Sequence, residues 1–375
     1  MLIQNYADLT LSGINLVDNT DHIQYVLSNN SGISSIEGAT NITTDAVAFD
    51  VYDYTAGGYA VPTVNVSTTG KITGAIEVSE TATLNISAGT FTVEIAEAWC
   101  ADGFIPKDNG NGTYGVEPGV FVARVNGKGY TTIDAAIEAA QAGETVTILA
   151  GDYEQTLNIN KAITVEGERN DQDENLVNIT GKLNITANNA TAKNLNVNNG
   201  GSTAGYINAK DVLVEGCDVT GGNGFYYCYT AGTVTFKDSK ITGATYGIHF
   251  DGSAGGNIVI DNCDITGWTS FASTITNVAI SNTEFLNGNY NQLRFYQNAQ
   301  MTNCKFNEEM TIDFGMNDVN AEFEGCAVVD TEGNATDAPL TDVIYLGDIA
   351  EMGVDVTIDN ETVVVESRIT RVNGI

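Results

Sequence analysis

Aromatic side chains recur through the middle of this chain, at Tyr206, at Phe225-Tyr226-Tyr227-Cys228-Tyr229, near His249, at Trp268 and at Arg294-Phe295-Tyr296. If Ile248, Phe250, Leu293 and Phe295 face inward on strands, alternation turns His249, Arg294 and Tyr296 outward on the face that some of the tyrosines share. Tyr and Trp rings beside amide and hydroxyl groups grip neutral sugars through apolar ring faces and hydrogen bonds. The candidate glycan-binding residues are therefore Tyr227, Tyr229, His249, Trp268, Arg294 and Tyr296. Trp268 is expected in a loop, and the others on the strand that precedes each bend. The competing reading is plain aromatic stacking along a sheet face.

The elements that position these residues come from a repeat. Apolar, polar, Asn/Gly/Asp, small, polar, apolar recurs from Ala192-Lys193-Asn194-Leu195-Asn196-Val197 to Phe323-Glu324-Gly325-Cys326-Ala327-Val328. Its fourth positions are 195, 217, 239, 263, 283, 304 and 326, spaced 20 to 24 residues apart. A unit of that size is one coil of a solenoid. The apolar columns lie an odd number of residues apart yet both look inward, so the residue between must turn a corner. That residue is Asn194, Gly216, Asp238, Asn262, Asn282, Asn303 or Gly325, the types that enter the left-handed region most cheaply. Stacked Asn corners are expected to hydrogen-bond along the axis as a ladder. A leucine-rich repeat, of similar period, would show Leu at three places per unit, and these units do not. Cys217, Cys263, Cys304 and Cys326 share one column, expected as a stack of small buried thiols.

Ahead of the coils, Thr131 to Gly143 reads as a short amphipathic helix over 131–142. Thr131 and Asp134 stand at capping-box-like spacing, Ile133, Ala136, Ile137 and Ala140 form one stripe, and Gly143 is a stop. Glu144 to Tyr153 and Leu157 to Gly167 then read as opening coils. This run resembles the N-terminal cap and first coils of the pectin-lyase-like, right-handed parallel β-helix superfamily, over about residues 125 to 330. The resemblance implies an all-β fold, a right-handed single-stranded parallel β-helix with a capping helix. It leaves activity open, since the superfamily includes lyases, hydrolases, adhesins and viral spikes.

The resemblance does not bring a catalytic set with it, and no catalytic residue is assigned. A lyase of this kind needs several carboxylates holding a cation and an Arg or Lys base. Only Arg294 lies inside the array, and Lys193, Lys237, Lys240 and Lys305 fall at outward positions of the repeat. The polygalacturonase pattern of Asp-Asp, Gly-His-Gly and Arg-Ile-Lys does not occur. Two carboxylates about 5 Å apart would suit retaining glycoside hydrolysis, but acids stacked in adjacent coils meet that spacing by default. His249 is the one centrally placed imidazole available for acid–base work. No cofactor is expected. No zinc site is expected either, without a CxxC pair and with only His22 and His249. Asn170-Asp171-Gln172-Asp173-Glu174 is the one candidate for Ca²⁺, although it lacks the spacing of a known loop.

Three regions are expected. Residues 1–88 alternate as a second, partial β-solenoid that begins in mid-pattern. Residues 89–119 break the rhythm with a one- or two-turn helix near Val93 to Cys100 and a hairpin through Asp108 to Gly112. The stretch Gly89 to Val116 is similar to a terminating module of large repetitive surface proteins of gut bacteria and their phages. Residues 120–375 form the β-helix, closed by strands over 340–375, among them 342–346.

With 48 acidic against 15 basic residues and a net charge of -33, nucleic acid is an unsuitable partner. The acidity also keeps a long repetitive β surface soluble. Met1-Leu2-Ile3-Gln4-Asn5 has neither a basic nor an apolar leader region, so no signal peptide is expected, and no apolar run is long enough for membrane insertion. The expectation is a non-enzymatic β-helix protein outside the cell, at a cell or virion surface, acting as an adhesin, receptor-binding fibre or structural module. Its partners would be a glycan or host-surface receptor, neighbouring structural subunits, or further copies in a homo-oligomer. The alternative is a carbohydrate-active enzyme, lyase or glycoside hydrolase, working on a neutral glycan.

Overall fold

The computed structural model describes residues 1–18, 22–251, 255–314 and 321–345, with the backbone of the strands Val354–Asp359 and Thr362–Ser367. Within this frame the seven corner residues set the architecture. Asn194, Asp238, Asn262, Asn282 and Asn303 have φ between 49 and 56°, and Gly216 and Gly325 have φ of 63 and 61°, all in the left-handed region. The corners stack along one axis. Asn194 N–H donates to the carbonyl of Glu215, Gly216 to Lys237, Asp238 to Asp261, Asn262 to Ser281, Asn282 to Thr302 and Asn303 to Glu324. The side-chain ladder is only partial. Asn262 Nδ2 donates to Asp238 at 2.7 Å and Asn303 Nδ2 to Asn282 at 3.4 Å. Asn194 instead reaches Glu166 and Asn282 reaches Asp261, both acids on strands of the preceding coil.

The corner reverses parity, so residues on both sides of it face the core. Ala192, Val214, Phe236, Ile260, Ile280, Met301 and Phe323 before the corners, and Val197, Val219, Ile241, Ile265, Phe285, Phe306 and Val328 after them, are at most 2% exposed. Strands before the corners, from Thr145–Ile148 to Ala321–Glu324, pair in parallel in chain order. Strands after the corners, from Gly151–Tyr153 to Ala327–Val329, form a second parallel ladder. Inside, Phe250, Phe271, Phe295 and Phe314 stack at centroid spacings of 6.5, 6.1 and 6.0 Å.

The helix at the start of this array spans Ile133–Ala139, with Thr132 as N-cap. The Thr132 hydroxyl accepts from Ala135 N–H at 3.2 Å, so the cap lies one residue after the expected Thr131. Ile133, Ala136, Ile137 and Ala140 are buried, covering the apolar end of the first coils. At the far end, Thr362–Ser367 pairs antiparallel with both Ala321–Glu324 and Val354–Asp359. Residues 342–345 are not a strand: a 3₁₀ turn, Leu340–Asp342, leads to a single bridge between Ile344 and Ile312, and Leu346 lies outside the described residues. Cys217, Cys263 and Cys304 are buried as expected, but Cys326 is only half-buried, near the end of the array where fewer coils cover it. All six thiols are free, and burial pushes Cys217, Cys228 and Cys263 up to about 12, which leaves them unreactive.

Contacts divide the chain into Met1–Phe121 and Val122–Ile375. In the first unit the parallel strands Ile3–Asn5, Tyr25–Asn29, Asn41–Val51, Thr63–Val78 and Thr83–Phe91 follow one another. The hairpin of Phe104–Asp108 and Tyr114–Pro118 then pairs onto Thr83–Phe91. The helix expected over 93–100 is a single 3₁₀ turn, Glu97–Trp99, because Ala96 and Cys100 on either side are extended and Cys100 bridges to Ile86. Among the described residues, no helix is long and apolar enough to cross a membrane.

Candidate functional site

Strands that follow the corners, not those that precede them, carry most of the aromatic residues. Tyr226 and Tyr227 end Asp218–Cys228, Tyr246 and His249 lie in Lys240–Phe250, Trp268 in Asp264–Phe271 and Arg294 in Gln292–Phe295. Trp268 is thus a strand residue rather than a loop residue. The strand continues through Gly267, at φ 105°, where a Cβ would lie 2.6 Å from the Gly243 carbonyl oxygen. Only glycine lets the two coils approach there. Ile248, Phe250, Leu293 and Phe295 are fully buried, which turns His249 and Arg294 outward.

The outward side chains form one continuous row over adjacent coils. Tyr246 stacks on Trp268 at 5.0 Å and 16° and lies 4.6 Å from Tyr226. His249 sits 5.2 Å from Tyr226 and 5.1 Å from Tyr246. Tyr227 lies 5.6 Å from Tyr226 and 5.7 Å from Tyr229. On the other side, the Arg294 guanidinium is 5.7 Å from the Trp268 ring and donates to the Tyr296 hydroxyl at 3.4 Å. All six candidates are therefore neighbours, joined by Tyr226 and Tyr246. Tyr206 holds Lys182 over its ring at 4.7 Å instead.

Tyr226, Tyr229, Tyr246, Trp268 and Tyr296 are half-buried. Tyr227 is the exception. It is 48% exposed, its φ is 60°, and the strand pairing shifts register between Phe225 and Cys228. A bulge at that point throws the ring outward.

The polar groups are largely tied to one another. His249 Nδ1 pairs with Ser270 Oγ at 2.6 Å, and its Nε2 is 3.9 Å from Asp251. Tyr229 donates to Asp251 at 3.2 Å. Desolvation and that bond push Tyr229 up to about 12, so it remains a donor. Arg294 Nε donates to Asp313 at 2.8 Å, and Nη2 bonds the same oxygen. Burial lowers the His249 pKa, against the pull of Asp251, which favours neutral imidazole. Ser270 and Asp251 flank His249 on the opposite nitrogens from those of a Ser-His-Asp triad, with the serine on Nδ1 and the carboxylate 3.9 Å from Nε2, and Ser270 is only 4% exposed, out of reach of a bulky substrate. Trp268 Nε1 and Gln297 Nε2 are buried without a hydrogen-bond partner.

Sequence reasoning missed Tyr246, Ser270 and Asp313 and gave Tyr226 no role. Plain alternation fails for Tyr246 because pairing shifts between Thr242 and Tyr246. Gly243 and Gly247 were the available signal, since glycine inside a strand marks a bulge. In the 170–174 loop, Asn170 Oδ1 accepts from Gln172 and Glu174 N–H, and its Nδ2 donates to Glu174. Arg169 pairs with Asp173 at 3.6 Å. Among the described residues, no three His, Cys, Asp or Glu converge as a metal cluster.

No protein-family model matches the chain, and no curated protein matches it. Among solved structures, it is similar to the pectin methylesterase of Aspergillus niger in two deglycosylated forms. The match covers 58% of this chain and 91% of that one, at 20% identity and TM-scores of 0.44 and 0.42. This likeness concerns fold alone. By its parallel coils, left-handed corners and helical cap, the unit of residues 122–375 is a parallel β-helix over its described residues.

Proposed function

We propose that the aromatic row of the β-helix binds neutral glycans at a cell or virion surface without cleaving them. The observation that carries this reading is Tyr227, a bulky residue kept exposed in the left-handed region at a bulge that heads the row. That conformation costs about 1–2 kcal/mol, and such strain clusters at functional positions. The ring held out in this way offers an apolar face, and the Tyr229 and Tyr296 hydroxyls offer hydrogen bonds. Neutral sugars suit it better than acidic ones. Arg294, the cation in the row, is already paired with Asp313, and the chain carries a net charge of -33.

One arrangement favours a second reading, a carbohydrate-active enzyme. Asp251 beside His249 and Ser270, with Asp313 further along the row, puts acid–base groups next to the same surface. An array of neutral oligosaccharides followed by a reducing-end assay separates the two. Binding without release of reducing ends is the expected result. Turnover that disappears in His249→Ala or Asp251→Asn would replace binding by catalysis. A silent array with a stable oligomer by light scattering would leave only a structural module, docked to neighbouring subunits.

A further inference from the structure

We infer a second ligand site, in the first unit, that takes a neutral saccharide under Tyr6, Tyr52, Tyr54 and Tyr59 and against Asn30 and Asp50. It is independent of the row in the β-helix. Asn5, Asn29 and Val51 are in register on three parallel strands. The residues after them, Tyr6, Asn30 and Tyr52, therefore lie side by side. Asn30 N–H donates to Asn5 O and Tyr52 N–H to Asn29 O, both at 2.9 Å. Asn30 is thus flanked by two tyrosines. Tyr54 lies 6.3 Å from each of them, and Tyr59 lies 5.8 Å from Tyr54 and 4.8 Å from Tyr6. The four rings bridge the strand ends as one patch, each 38 to 50% exposed. Gly57 makes the bridge possible, since a Cβ there would lie 2.5 Å from the Tyr54 ring.

A second observation points to a ligand rather than to mere ring packing. Asn30 is 4% exposed and Asp50, two residues before Tyr52 on the same strand face, is 7% exposed. Asn30 Nδ2 and Asp50 Oδ1 both lack a hydrogen-bond partner. Asn30 Oδ1 is occupied, accepting from Ser28 at 3.3 Å. Buried polar atoms without partners are rare and call for an explanation. A free donor and a free acceptor match sugar hydroxyls, which accept from the amide and donate to the carboxylate, while C–H faces of the ring lie on the tyrosines. An acidic sugar is disfavoured, because Asp50 pairs in register with Glu77, Asp53 follows on the chain, and none of the six site residues is Lys or Arg. A cation would satisfy Asp50 but face the Asn30 donor hydrogens.

The test uses the full chain on an array of neutral oligosaccharides, with solution titration of each hit. The Tyr54→Ala/Tyr59→Ala double variant should weaken at least one hit by about tenfold or more, Tyr54→Phe/Tyr59→Phe should keep it, and Tyr227→Ala/Tyr246→Ala should leave it unchanged. The inference is overturned if every hit survives Tyr54→Ala/Tyr59→Ala. If those hits vanish in Tyr227→Ala/Tyr246→Ala, the β-helix row alone binds. A hit that responds only to the Tyr54 and Tyr59 changes supports this site even if the row proves inert. Should Tyr54→Ala/Tyr59→Ala lose its circular-dichroism melt, Asn30→Ala, which keeps all four rings, decides by the same criterion.

Discussion

Replacing Asn262 by valine should destabilise the β-helix by about 1–1.5 kcal/mol more than replacing it by glycine. Asn262 holds φ 52° at its corner and donates to Asp238 at 2.7 Å. Both variants lose that exposed side-chain bond, worth about 0.5–1.5 kcal/mol. Valine adds a left-handed penalty of about 1–2 kcal/mol, and its branched Cβ puts it at the upper end. Glycine enters the same region freely and costs only unfolded-chain entropy, about 0.5–1 kcal/mol. The expected losses are about 2.5–3.5 kcal/mol for valine and about 1–2.5 kcal/mol for glycine, summed from those same effects. Urea unfolding followed by circular dichroism measures the difference, with unchanged slope as the condition for comparing midpoints. A solenoid need not unfold in one step. Amide exchange at Asp264, whose N–H donates to Ser239 across the corner, therefore gives a local reading. Equal losses from valine and glycine would refute the claim that corner conformation sets the fold.

Other outcomes follow from the core and the row. Phe271→Ala, at a site with no exposed surface between Phe250 and Phe295, should cost about 3–5 kcal/mol; a loss below about 1 kcal/mol in thermal or urea unfolding would deny the stacked Phe column that role. His249 should titrate below its ordinary value of 6.5, since burial outweighs Asp251. The folded state then prefers neutral imidazole, so this contribution to stability is complete above 6.5 and is lost as pH falls from there toward the folded pKa. A chemical-shift titration checks it, and a midpoint above 6.5 would mean that Asp251 dominates.

The corners were legible because so few residue types tolerate φ near +55°, and Asn194, Asp238 and Asn262 repeat that constraint at coil spacing. The outward turn of His249 and Arg294 followed in the same way from period-2 alternation within strands. Legibility ended where alternation breaks. The bulge before Tyr246 and the close approach at Gly267 depend on which coil lies beside which, a long-range fact that local pattern does not encode. The same holds for the cap at Thr132, one residue from its expected place, and for the half-burial of Cys326. The tyrosine patch around Asn30 was invisible because it rests on the register of Asn5, Asn29 and Val51, which the sequence pattern leaves unpinned.

Trp268 offers the most direct test of sugar binding by the row. The chain has 2 tryptophans, so Trp99→Phe leaves Trp268, stacked between Tyr246 and Arg294, as the sole reporter. Titrating a neutral oligosaccharide found on the array should produce a saturable change in Trp268 emission that Tyr227→Ala abolishes. Unchanged emission with every such sugar, or a change that persists in Tyr227→Ala, would contradict the account.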